Sequence, residues 1–184
     1  MIFFGKDIIN NIIDTSELEE IVEKIDQYKN DLEMLLTYFV YPTLNLCYIQ
    51  NLLKYESNQA VFYCMDDVFN IRRCSSCIVY SRQYNKKTES INYYLMIICT
   101  QECFRNLGYA RKLLDGFVEN IKKETKETDK SVKIVLSSVD ETVSFYQRYG
   151  FEVVDCSLEN YPYLRKFEKC DPNKICTVME FQIK

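Results

Sequence analysis

The sequence predicts a mixed α/β (α+β) fold, a sheet covered by helices, on three observations. The N-terminal part carries apolar residues at helical spacing, and the middle holds short runs rich in Val, Ile, Phe, Tyr and Cys. Between the two lies no repeat or low-complexity linker. The third observation is Tyr93-Tyr-Leu-Met-Ile-Ile-Cys99, a continuous apolar run of the kind found in a strand buried on both faces. With 184 residues and 47% apolar content, the chain is expected to build one domain, 1–184, helical over 1–58 and sheet-based over 59–184.

Taken in order, a helix is expected from Ser16 to about Tyr41. Ser16 and Glu19 have capping-box spacing. Leu18, Ile21, Val22 and Ile25 lie on one face, as do Leu32, Leu35, Leu36 and Phe39. Pro42 should end this helix, because proline disfavours a helical residue before it. Thr43–Tyr55 reads as another short helix. Strands follow at Ala60–Met65, Ser76–Arg82 and Ser90–Thr100, with a hairpin turn at Gln83–Glu89. Tyr109–Lys123 is a helix with the stripe Leu113, Leu114, Phe117, Val118 and Ile121. Gly116 within it suits close packing on the sheet. Val132–Leu136 is a strand, Glu141–Tyr149 a helix, and Phe151–Asp155 and Ile175–Ile183 are the last strands.

Composition excludes several chemistries. The chain has no histidine, so no Ser-His-Asp or Cys-His nucleophile and no His-containing metal site can form. A net charge of −4 argues against a nucleic-acid partner. No apolar run approaches the ~20 residues that span a bilayer. The start, Met1-Ile-Phe-Phe-Gly-Lys-Asp, lacks the pattern of a signal peptide. The nine cysteines are therefore expected as reduced thiols in a cytoplasmic setting. Cys74-x-x-Cys77 lacks a convincing second pair, since Cys99 falls in the buried strand and Cys103 in the following loop, so no metal is expected.

The junction from Thr100 to Lys112 carries the most chemistry. A buried strand ends, Gln101-Glu-Cys-Phe-Arg-Asn-Leu-Gly-Tyr-Ala110 follows, and a helix begins at once. The first N–H groups of that helix have no internal acceptors and its dipole is positive there, which makes an anion site. Gly108 lets an anion approach the backbone, Ala110 is nearly as small, and Arg105 adds a charge-assisted donor, with Arg111 and Lys112 nearby. Later, Tyr146-Gln-Arg-Tyr-Gly150-Phe151 closes a helix at a glycine suited to a left-handed cap.

Together these segments resemble the GNAT (GCN5-related N-acetyltransferase) superfamily. Its Arg/Gln-x-x-Gly-x-Gly/Ala pattern is matched by Arg105-Asn106-Leu107-Gly108-Tyr109-Ala110, and its later Tyr-x-x-x-Gly-Phe by Tyr146 to Phe151. The resemblance covers Tyr93 to about Phe151. It implies the acyl-CoA N-acyltransferase fold, with a mostly antiparallel sheet, and acetyl-CoA as cofactor. It also implies that the backbone of Ile98, Cys99 and Thr100 holds the pantetheine arm, and that Arg105, Asn106, Leu107, Gly108, Tyr109, Ala110 and Arg111 hold the pyrophosphate. Tyr146 would protonate the departing thiolate, because a phenol of pKa about 10 is protonated at neutrality. A thiolate whose conjugate acid has a pKa of about 8.5 can also accept its proton. The acceptor would be a primary amine that attacks the thioester directly: a polyamine or other small amine, a lysine, or a protein N-terminus.

There are departures from the family. An asparagine frequent before the acid-bearing helix is replaced by Val139, and the small residue at the following helix start by Thr142. Two positions where relatives carry a glutamate base align with Tyr94 and Ile134. Glu89, Glu102, Glu141 and Glu180 are carboxylates by vicinity only, so no base is assigned. Glu159-Asn-Tyr-Pro-Tyr163 looks similar to the tyrosine-bearing segment of relatives that acetylate protein N-termini, although a packed loop is the plainer reading. The alternative function is a GNAT-fold module that holds CoA without turnover. The N-terminal helices are further expected to cover the acceptor site or to make a homodimer contact.

Overall fold

The computed structural model describes residues 1–40, 43–86, 88–167 and 177–184. Seven strands form a sheet of order β1-β2-β3-β4-β5-β7-β6: β1 Ile2–Phe4, β2 Asn58–Cys64, β3 Cys74–Asn85, β4 Ser90–Thr100, β5 Val132–Ser138, β6 Glu152–Asp155 and β7 Thr177–Gln182. The helices are α1 Gly5–Thr15, α2 Leu18–Val40, α3 Leu46–Leu53, α4 Tyr109–Glu124, α5 Asp140–Tyr149 and α6 Pro162–Phe167. The α/β class expected from the sequence is therefore observed. The chain clusters into two compact units, Met1–Val79 with Ile97–Phe117, and Tyr80–Met96 with Val118–Lys184. This division runs through β3, β4 and α4.

In the first unit, β1 pairs antiparallel with β2, Phe4 opposite Val61. Leu36, Ile49, Leu52, Phe62, Ile78, Leu113, Leu114 and Phe117 are fully buried there, each contributing roughly 1.5–3 kcal/mol. Gly116 is where the sequence reading placed a close contact. A Cβ at that position would collide with the Ile2 side chain. In the second unit, β4 and β5 are parallel from Ile91↔Val132 to Leu95↔Leu136. A parallel pair needs a crossover, and α4 supplies it. Strand β7 then inserts antiparallel between β5 and β6. Gly150 caps α5 with φ +115, the left-handed conformation anticipated there.

Three expectations are corrected. The N-terminal strand β1 and helix α1 were not anticipated, and Ser16 is the C-cap of α1, its N–H bonded to the Ile12 carbonyl, rather than a cap for α2. The face Leu18, Ile21, Val22, Ile25 is not core: Leu18 is 85% and Val22 67% exposed, whereas Leu32, Leu35, Leu36 and Phe39 are buried. Helix α6 occupies part of what reads as a loop, because Leu164 and Phe167 bury its short apolar side. The expected stop at Pro42 and the expected start of the last strand at Ile175 lie outside the described residues. No described helix is long and apolar enough to cross a membrane.

Candidate functional site

In the first unit, β4 delivers the chain into an outward-facing loop. Thr100 Oγ1 and Ser76 Oγ are 2.8 Å apart, and the Gln101 N–H donates to the Ser75 carbonyl at 2.9 Å, so the strand end is fixed. A single 3-10 turn, Glu102–Phe104, leads to Asn106 and Gly108, whose φ values of +63 and +80 are both left-handed. Asparagine and glycine are the residues that tolerate this backbone. The Gly108 carbonyl accepts from the Lys112 N–H at 3.0 Å, closing the first turn of α4. The N–H groups of Tyr109 and Ala110 precede that bond, at the helix end where such groups face outward to an incoming acceptor. A Cβ placed on Gly108 meets no atom within 4 Å, so the space over this backbone is open. Tyr109 steadies the junction from beneath, against Phe104 at 5.8 Å and Tyr63 at 5.3 Å between ring centres.

Arg105 is exposed. Its Nε points to the Thr100 carbonyl at 3.4 Å and its Nη2 to the Phe39 carbonyl at 3.5 Å. Phe39 lies in the last turn of α2, where the helix dipole is negative, so the guanidinium is held at a favourable end. It stands beside the loop rather than over the open backbone. Ile98 and Thr100 are half-buried on one face of β4, and Cys99 is buried on the other. Burial pushes the Cys99 thiol up to about 12, with the Cys77 backbone and the Arg105 charge acting in the opposite direction. Burial also raises Cys77, with Cys99 adding to it. Both thiols are thus held neutral and are poor nucleophiles.

Tyr146 belongs to the second unit, in the last turns of α5. It is 6% exposed, with Phe145 and Phe151 packed edge-on at 5.2 and 5.5 Å. Its carbonyl accepts from the N–H groups of Gly150 and Phe151 at 3.1 and 3.0 Å. The Tyr-x-x-x-Gly-Phe spacing thus has a local reason, since the glycine cap and the aromatic after it both lock the tyrosine.

The same unit holds a polar cluster that sequence reasoning saw only in pieces. Glu180 on β7 lies opposite Val135 of β5, and its Oε1 is 2.6 Å from Lys133 Nζ. Tyr161 donates its hydroxyl to the same oxygen at 3.3 Å. Tyr94 on β4 stacks on Tyr163 with 4.7 Å between ring centres. The Tyr163 hydroxyl donates to Ser81 Oγ at 2.7 Å, and Gln83 Nε2 donates to the Tyr163 hydroxyl at 3.3 Å. Burial first, and Glu180 second, push the Tyr161 phenol up to about 12. Burial also raises Tyr94, partly offset by the Asn92 amide. Lys133, Ser81 and Gln83 were missed by the sequence reading. Ser81 and Gln83 stand two apart on one face of β3, which is a signal of a shared side, whereas Lys133 is a single lysine in an apolar strand.

Residues 77–161 match a family model described as "Acetyltransferase (GNAT) domain". That match covers a little under half of the chain and likens it to the GNAT superfamily. No curated protein matches it. Among solved structures, Tetrahymena GCN5 is similar at 15% identity and TM-score 0.58, over 86% of this chain and 88% of that one. Arabidopsis thaliana Naa50, solved with the bisubstrate analogue CoA-Ac-MVNAL, is similar at 16% identity and TM-score 0.52, over 98% and 97%. An aminoglycoside 6'-N-acetyltransferase complexed with coenzyme A is similar at 13% identity and TM-score 0.57, over 85% and 91%. At these identities the likeness is one of fold.

Within the matched residues, Val139 is the N-cap of α5 and makes no side-chain cap. The hydroxyls of Ser138 and Thr142, 2.9 Å apart, occupy that turn, and Thr142 donates to the Val139 carbonyl at 3.2 Å. Ile134 is fully buried. Glu89, Glu102 and Glu141 are all exposed, whereas the Glu180 side chain is 19% exposed and paired. Cys64 at the end of β2 and Cys74 at the start of β3 stand side by side, their Cα atoms 4.2 Å apart. Cys77 is buried, with its carbonyl accepting from Cys99 Sγ at 3.6 Å. Cys47, Cys77, Cys99, Cys103 and Cys156 are free thiols.

Proposed function

We propose that the chain is an acetyl-CoA-dependent N-acetyltransferase that passes the acetyl group directly to a primary amine. The observation that carries this reading is the junction after β4, where an open glycine with left-handed φ stands directly before the N-terminus of α4. That donor set fits a pyrophosphate. Acetyl-CoA, when bound, supplies the activated acyl group and a thiolate leaving group.

The chain's part is binding, orientation and one proton. The backbone of Ile98–Thr100 receives the pantetheine arm, the residues Arg105–Arg111 hold the pyrophosphate, and Tyr146 keeps a proton on its hydroxyl for the departing sulfur. Direct transfer is supported by the neutral, buried Cys77 and Cys99, which offer no acyl-carrying thiolate. For the acceptor, a protein or peptide N-terminus is favoured over small amines. The support is the position of Tyr161 and Tyr163, from the segment Glu159–Tyr163, beside Tyr94 and Glu180. A cytoplasmic setting, and a dimer contact through the N-terminal helices, belong to the same proposal.

A second reading, a module that holds CoA without turnover, is favoured by one observation: the half-buried Glu180 carboxylate is already committed to Lys133 and Tyr161. Thiol release from acetyl-CoA, measured with a panel of short peptides, spermidine and an aminoglycoside, separates the two. Turnover with peptides bearing free N-termini is expected. CoA binding without thiol release from any acceptor would establish the second reading.

A further inference from the structure

The first unit contains a cavity of about 850 Å³ between α1, α2, α3 and the start of β2, away from the phosphate junction. That volume is in the range of small-molecule sites, about 300–1,000 Å³. Asn58–Ala60 of β2 line it, whereas the junction is tied to the other end of that strand through Ser75, whose hydroxyl donates to the Tyr63 carbonyl. Asn58 and Tyr63 are five residues apart, about 17 Å along a strand.

The cavity has apolar walls and a lining with three lysines against two glutamates. Ile9, Ile25, Leu32 and Leu53 supply its walls. Tyr28 lies on its floor, where a Cβ at Gly5 would stand 2.5 Å from the phenol oxygen, so a glycine at the start of α1 is what makes room for that ring. Two polar wall groups are already satisfied internally: Gln50 Nε2 donates to Glu33 Oε1 at 2.9 Å, and Asn58 Nδ2 to the Leu52 carbonyl at 2.8 Å. The charged groups of the lining are Lys6, Lys29, Lys54, the exposed Glu56, and Glu33, which keeps its charge because its partner is a neutral amide. Lys29 and Lys54 have no ion-pair partner among the described residues, and they come from different helices, α2 and the end of α3.

From this arrangement we infer a ligand site for a small anionic amphiphile, one apolar chain or ring system with a single carboxylate head. The apolar body fills the space against Ile9, Ile25, Leu32 and Leu53. The head stays where Lys29 and Lys54 meet it with their stems along the apolar wall. Removing the body from water provides affinity, and the lysines select the sign of the head. The inference is independent of the acetyl-transfer proposal, because no residue assigned to CoA lines this cavity.

The test is calorimetric titration of the full chain with dodecanoate, dodecanol and dodecylamine below their self-association concentrations. Dodecanoate should bind one-to-one, and both other ligands at least tenfold more weakly. Lys29→Glu with Lys54→Glu should weaken dodecanoate at least tenfold and leave dodecanol unchanged. Leu53→Trp, which fills the cavity, should abolish all three, with thermal melts confirming that each variant is folded. Equal affinity for dodecanoate and dodecylamine, survival of dodecanoate binding in folded Leu53→Trp, or no saturable dodecanoate binding would each overturn the inference.

Discussion

Between Thr100 and Lys112 the outward-facing polar groups belong to the main chain, whereas around Glu180 they belong to side chains brought in by five elements or their flanks. The junction depends on backbone conformation at two positions, Asn106 and Gly108, and on a helix start. The tyrosine–carboxylate cluster depends on register: Ser81, Tyr94, Lys133 and Glu180 share a site only because β3, β4, β5 and β7 pair as they do. A backbone site tolerates side-chain change and fails when φ is restricted. A register site tolerates neither loss of a partner nor a slip of one residue, which would turn every side chain to the opposite face.

The sharpest way to break this comparison lies outside both regions. Tyr146→Phe should lower kcat by roughly 10²–10⁴-fold, the usual contribution of a positioned acid, while leaving the CoA dissociation constant unchanged. An unchanged kcat would remove Tyr146 from the proton transfer. Next in size is Arg105→Ala. It removes a charged donor worth roughly 1.5–3 kcal/mol, about 10- to 100-fold in CoA affinity. Leu107→Ala, at a 57% exposed position of the same loop, should change affinity little. Equal losses in the two variants would show that the loop does not act through its backbone and Arg105.

Smaller effects are expected in the cluster. Tyr161→Phe deletes the hydroxyl bonded to Glu180, a bond worth roughly 0.5–1.5 kcal/mol. The KM for a peptide acceptor should rise about 2- to 10-fold at constant CoA affinity. A change in CoA affinity instead would merge the two regions functionally. The smallest effect concerns alkaline stability. Tyr93 is held near pKa 12 by burial first and by Glu124, and Tyr161 near 12 by burial and Glu180. The native state therefore keeps protons that the unfolded state releases above about pH 10. Stability should be constant below about 10 and fall between about 10 and 12. Urea denaturation across this window should show a shallower fall in Tyr93→Phe.

Legibility in the sequence follows the same division. The junction was readable because its chemistry follows from local order: apolar strand, loop with one glycine, amphipathic helix. The Gly150 cap and the α4 stripe were readable for that reason too. The cluster was not, since Glu159–Tyr163, Tyr94 and Glu180 are far apart in the chain and no spacing tells which strand inserts between which. Lys133 gave even less signal, being one lysine in an apolar strand. The misplaced cap at Ser16 has a comparable origin. Its spacing to Glu19 suits a helix start, but the preceding segment Gly5–Thr15 is itself helical, and its end took Ser16. Likewise Leu18 and Val22 have helical periodicity without burial, because periodicity reports a face and not what covers it.

The central claim is that the backbone after β4 holds a CoA pyrophosphate, and it is tested most directly by calorimetric titration with acetyl-CoA and CoA, using dephospho-CoA and ATP as controls. Saturable binding of acetyl-CoA and CoA, much weaker binding of ATP, and loss of affinity in Arg105→Ala are predicted. Absence of binding by all four compounds would contradict it, leaving a GNAT fold whose cofactor site is lost.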